Sequence, residues 1–197
     1  MSRRLPKSTT DETVKDCWQT PHQLFNALNK IFNFSLDAAA SDDHHLCDNY
    51  FTAEDSALTQ SWSERLKAIG ASSRNVWCNP PFSNMDGFIS QAIAETKDDV
   101  GTVLIANWDH SSHWCTQAIE AASEIWLLTG YHNEKGQWRS GRVRFVHPTT
   151  GEVARDQPKA QALFIFRNGK IPNSIAKIIP VPLNTVWLED PEIEEAA

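Results

Sequence analysis

The sequence predicts an α/β fold built on a mostly parallel sheet covered on both faces, and three observations predict it. The runs Asn75–Cys78, 101–106 and Glu124–Thr129 are apolar nearly throughout, as strands buried on both faces are. Stretches with apolar residues at helical spacing separate them, the alternation that builds parallel sheets. A chain of 197 residues that is 41% hydrophobic suits one well-packed domain rather than two.

Residues 1–16 are polar and charged without periodicity and read as a flexible lead-in to a single domain over 17–188. Thr20-Pro21 reads as a helix start, with Thr20 as cap and Pro21 first in the helix. Leu24, Phe25, Leu28, Ile31 and Phe32 follow as its inner stripe. Phe34–Asp37 reads as a short strand ending in a carboxylate. The small residues Ala38-Ala39-Ala40 and a polar stretch to about Thr52 come next, the composition of a ligand loop. A helix over 61–69, the strand Asn75–Cys78 and a helix with inner face Met85, Phe88, Ile89, Ala92 and Ile93 succeed one another. The strand 101–106, a helix His113–Ala121 and the strand Glu124–Thr129 complete the parallel part.

Beyond Thr129 the pattern changes. Arg142-Val143-Arg144-Phe145-Val146 alternates basic with apolar, 147–151 reads as a turn, and 162–166 is apolar again. An antiparallel hairpin closing one edge of the sheet is expected. Residues 189–197, with five acids and no base, are expected to form a disordered tail.

No apolar run approaches the roughly 20 residues of a membrane span, and the start lacks the apolar stretch of a secretory signal, so a cytoplasmic protein is expected. Cys17, Cys47, Cys78 and Cys115 form no CxxC pair, which argues against a disulfide framework, and no metal is expected. The net charge of −7 by itself disfavours a nucleic-acid partner. Its distribution does not: from Lys135 to Lys170 eight basic residues face two acidic ones, among them Arg139, Arg142 and Arg144. A nucleic-acid face and a solvated strand face both fit that stretch.

Asn79-Pro80-Pro81-Phe82 directly follows the strand Asn75–Cys78, where α/β sheets bind ligands. An amide, a rigid backbone and an aromatic ring are what amine methylation needs. The exocyclic N6 of adenine is a poor nucleophile because its lone pair is delocalised into the ring. The Asn79 side-chain oxygen and the Pro80 carbonyl can accept its two N–H groups and favour a more pyramidal nitrogen. Pro80 and Pro81 restrict the backbone that carries those acceptors, and Phe82 can stack on the base. The base must leave the duplex stack or be single-stranded to be reached. An ordinary strand-to-loop turn is the alternative reading of the motif.

Four segments together resemble the phage-type, Dam-like DNA N-6-adenine methyltransferase family: Trp18-Gln19-Thr20-Pro21, Leu36-Asp37-Ala38-Ala39-Ala40, Glu54-Asp55-Ser56-Ala57-Leu58 and Asn79-Pro80-Pro81-Phe82. The resemblance covers roughly residues 17–167. It implies a Rossmann-like sheet that takes S-adenosylmethionine and acts on DNA in the cytoplasm of a phage-infected or prophage-bearing cell. Trp18, Thr20, Pro21, Asp37, Ala38, Asp55 and Asn79 would hold the cofactor, with Asn79, Pro80, Pro81 and Phe82 at the reacting adenine and Arg139, Arg142 and Arg144 on DNA. The family's usual Tyr in the motif is Phe82 here, which keeps the stacking face and loses the hydroxyl. Methylation of RNA or of a protein amide, or a non-enzymatic DNA-binding module of the same fold, are the competing readings.

Overall fold

The computed structural model describes residues 16–154, 158–169 and 174–187, so most of the expected lead-in and the whole acidic tail lie outside the described residues. Helix α1 (His22–Phe32) leads into strand β1 (Phe34–Asp37), then α2 (Trp62–Ala68), β2 (Asn75–Cys78), α3 (Met85–Glu95), β3 (Gly101–Asn107), α4 (His113–Ala121) and β4 (Glu124–Thr129). Short strands β5 (Tyr131–His132) and β6 (Trp138–Arg139) follow, then β7 (Gln161–Phe166) and β8 (Lys177–Pro182). The main sheet has the order β1-β2-β3-β7-β4-β8. Strands β1, β2, β3, β4 and β8 run in one direction and β7 against its neighbours β3 and β4.

Alternate side chains of these strands feed two cores, which is why the runs are apolar on both faces. Val76, Cys78, Leu104, Phe164 and Phe166 pack with Trp62 and Leu66 of α2, Phe88 and Ile89 of α3, and Trp114 and Cys115 of α4. Trp77, Val103, Ile105, Leu163 and Ile165 pack on the other face with Leu24, Phe25 and Leu28 of α1 and with Val143, Phe145, Leu183 and Val186. Phe25, Phe34 and Trp77 meet ring to ring there at 5.6–5.8 Å, geometry that adds to area burial. Buried Glu95 of α3 accepts the Trp62 and Ser63 N–H groups at 2.8 and 2.9 Å, satisfying the start of α2. No helix among the described residues is long and apolar enough to cross a membrane.

Three expectations are corrected. Thr20 does not cap α1: the helix begins at His22 after Pro21, which makes no side-chain cap, and Ile31 of the expected inner stripe is 55% exposed. The antiparallel strand β7 lies inside the sheet rather than in a hairpin at its edge, with all six residues buried. The stretch 142–146 is not its partner. Val143 and Phe145 are buried and Arg142 and Arg144 exposed, as the alternation predicts, but the Val143 N–H is taken by the Gln161 side chain at 2.8 Å instead of by a strand backbone. The antiparallel hairpin is a separate one, β5–β6, pairing Tyr131 with Arg139 and His132 with Trp138.

Candidate active site

Because the strands β1, β2 and β3 are parallel, their carboxyl ends bring Asp37-Ala38, Asn79-Pro80 and Asn107-Trp108 to one edge of the sheet. Asn79 continues β2 directly and its side-chain amide donates to the Trp18 carbonyl at 2.8 Å. A carbonyl only accepts, so the amide nitrogen faces Trp18 and the Asn79 oxygen points away from it. Asp16 accepts the Ser83 N–H at 3.0 Å on the far side of the motif. The segment 16–19 thus straps Asn79-Pro80-Pro81-Phe82 at both ends, and Gln19 in turn exchanges backbone hydrogen bonds with Val146 at 2.9–3.0 Å. Trp18 meets the His147 ring edge-on at 5.3 Å. Phe82 stays 46% exposed. Lys159 Nζ stands 5.4 Å from its ring centroid and 3.8 Å from Asp109, which follows β3.

Asp37 ends β1 and is only 3% exposed. Its carboxylate accepts from the Ala39 and Leu46 N–H groups at 3.2 and 3.1 Å. Burial pushes its carboxyl up to about 6, against those two hydrogen bonds and nearby His45. The loop it holds returns alongside β1, where Asp37 bonds through its backbone to Asn49 and Phe51, while Ala38 donates to the Trp77 carbonyl. Asp55 lies further along, exposed, accepting from the Thr52 N–H and hydroxyl at 2.8 and 2.9 Å; these bonds hold its carboxyl below the usual range. It lines an open depression with Asp42, Tyr50, Glu54 and Arg65.

On the β3 side, buried Gln161 donates to the Asn107 side chain at 3.1 Å and to the Lys159 carbonyl at 2.8 Å while accepting from Val143. One amide therefore fixes the β3 end, the Lys159 turn and the root of the arginine-bearing stretch.

A protein-family model described as DNA N-6-adenine-methyltransferase (Dam) matches residues 7–183. The chain belongs to that family. A DNA N-6-adenine-methyltransferase of Escherichia phage T1 is 30% identical over 173 residues, covering 85% of this chain and 69% of that protein. One of Haemophilus phage HP1 is 30% identical over 165 residues, covering 82% of this chain and 84% of that protein. As a family member the chain is a DNA adenine-N6 methyltransferase.

In this Dam-family chain the structure brings Trp18 to the Asn79–Phe82 motif, with Asp37 and Ala38 on the neighbouring strand end, while Thr20, close to Trp18 in sequence, is buried and the Pro21 carbonyl accepts from Leu24 and Phe25 at the start of α1. Asp55 shares no hydrogen bond with the motif; its bonds stay within its own turn. Arg142 and Arg144 are exposed on the stretch that Val146 ties to the strap, and Arg139 stands on the separate hairpin. Asp16, Lys159 and Gln161 are the site-forming residues that motif reading does not single out. Each is a lone polar residue with at least one partner remote in sequence. The sole signal is a glutamine opening the apolar run 161–166, where a buried amide needs partners.

Proposed function

We propose that methyl transfer takes place at the Asn79–Phe82 mouth, between S-adenosylmethionine and the N6 amino group of an adenine drawn out of the DNA stack. The observation that carries this reading is the 2.8 Å hydrogen bond from Asn79 to the Trp18 carbonyl, because it presents the Asn79 oxygen as a fixed acceptor. With the Pro80 carbonyl it accepts both N6 hydrogens, draws the nitrogen lone pair out of conjugation and aims it. The Phe82 ring receives the base face, and Lys159 must yield that face when the base arrives.

The residues around the mouth suit S-adenosylmethionine. The Thr20 hydroxyl is buried with no hydrogen-bond partner among the described residues, and the β1 loop opens with small side chains. Trp18, Thr20, Pro21, Ala38, Asp55 and Asn79 would hold the group, with Asp37 shaping the loop that carries Ala38. When bound it supplies a methyl group on a positively charged sulfur, open to attack by nitrogen. The parallel order at the site edge, with helices crossing between β1, β2 and β3, supports a Rossmann-like sheet.

Transfer of labelled methyl from S-adenosylmethionine to unmethylated DNA, with product nucleosides resolved, tests the reading beside Asn79→Ala. N6-methyladenine from the wild type and a large loss in the variant are expected. Label in RNA or protein but not in DNA would overturn it.

A further inference from the structure

Among the described residues, two Phe or Trp rings are exposed, Phe82 at 46% and Trp138 at 64%. The motif accounts for Phe82. Trp138 stands on the β5–β6 hairpin, which leaves the carboxyl end of β4 and so rises from the same sheet edge as Asn79.

The ring is held rather than loose. A Cβ on Gly130 would stand 2.3 Å from Trp138 Cζ2, so the indole lies directly on the Gly130 backbone, an approach only glycine permits. His132 meets it edge-on at 5.2 Å and 70°. Gly141 fixes the root of the hairpin equally closely, since a Cβ there would fall 2.2 Å from the Thr129 carbonyl carbon. At the tip the Asn133 oxygen accepts from the Lys135 and Gln137 N–H groups at 3.1 and 2.8 Å, and Gly136 takes φ +73°. A large ring packed on one side and open on the other loses little freedom on binding a flat partner. Lys135, Arg139, Arg142 and Arg144 lie within the same stretch against one acid, Glu134.

We infer that Trp138 is a stacking platform for a nucleobase of the bound DNA other than the target adenine. This inference rests on the reading of the site as acting on DNA. Strands β2 and β4 are three spacings apart, roughly 14 Å, which is about four stacked steps of a nucleic-acid strand at 3.4 Å. One base therefore does not serve both Phe82 and Trp138. The partner is a second base of the bound DNA, displaced from the target adenine by about that distance.

The test uses the whole chain and a duplex that the wild type methylates, comparing Kd and KM for wild type, Trp138→Ala and Trp138→Phe. The Ala variant should bind about tenfold more weakly and the Phe variant recover most of the loss. The set is repeated on duplexes carrying a single abasic position at each site around the target. At one position the Ala penalty should vanish, because the base the ring stacks on is gone; a purely structural role for Trp138 predicts no such position. Binding by the Ala variant within about twofold of wild type on every duplex, or a penalty undiminished at every abasic position, overturns the platform. A wild type that methylates DNA while Trp138 is silent overturns this inference alone, whereas a wild type that methylates no DNA overturns the reading beneath it.

Discussion

The side chain of Asn79 and the backbone of Trp18, 61 residues apart, are joined by a 2.8 Å hydrogen bond that turns the amide nitrogen toward Trp18 and the oxygen away from it. Removing the amide removes both the proposed acceptor and one of the strap's two anchors. Asn79→Ala should lower kcat on DNA by about 100-fold or more, the scale on which one preorganised hydrogen-bonding group matters at a reacting atom. Binding of S-adenosylmethionine, followed by calorimetry, should fall much less; equal losses in both would remove Asn79 from the reacting centre.

Phe82→Ala should raise KM for DNA about tenfold, the worth of one base on one ring, while Phe82→Tyr stays close to wild type because the family's usual ring has the same face. Steady-state kinetics on a fixed duplex measure this. Unchanged kinetics in the Ala variant would dismiss the stacking role.

Asp37 makes a pH-dependent contribution whose sign follows from its environment. Burial raises its carboxyl to about 6, above the roughly 3.9 of an unfolded chain. The folded state therefore holds the proton more tightly, and the stability this group supplies is full below about pH 4 and lost as pH rises through about 6. Asp37→Asn cannot titrate. The unfolding free energy of wild type minus that of the variant should fall by up to about 3 kcal/mol between pH 4 and 7. Urea unfolding at a series of pH values reads this difference, and a flat difference would contradict it.

Arg142 and Arg144 project from the stretch whose neighbours Val143 and Phe145 are buried. Replacing each with Ala should shallow the dependence of log Kd on log salt by about 0.9 for every phosphate no longer neutralised, and equally on unrelated sequences. A preserved slope would place both arginines off the DNA.

The parallel half of the fold was legible because a strand buried on both faces must be apolar throughout. Phe34–Asp37, Asn75–Cys78 and Glu124–Thr129 carry their predicted bounds. The place of β7 was not read, although the unbroken run from Ala162 to Phe166 carried the signal: an edge strand with a solvent face would alternate, and this one does not. The 142–146 stretch does alternate, yet its partners are not β7: the Val143 N–H goes to the Gln161 side chain and Val146 bridges to Gln19 and Val153, which no periodicity reveals. Asn79–Phe82 was legible since four adjacent residues of distinct chemistry carry it. Asp16, Lys159 and Gln161 were not, because their partners lie across the fold.

Strand β7 has one more consequence. Among the described residues strand β4 shares no ladder with β3, and β7 joins the β1-β2-β3 part of the sheet to the β4-β8 part. Since β7 follows β4 in the chain, a ribosome must release residues 161–166 before the two parts can meet, and the newly made strand has to enter between partners that already exist. Until then the Asn79–Phe82 motif sits at the end of a three-stranded fragment whose β3 edge is unpaired, the kind of open edge that pairs with other chains, so the interval between synthesis of β4 and of β7 carries an aggregation hazard.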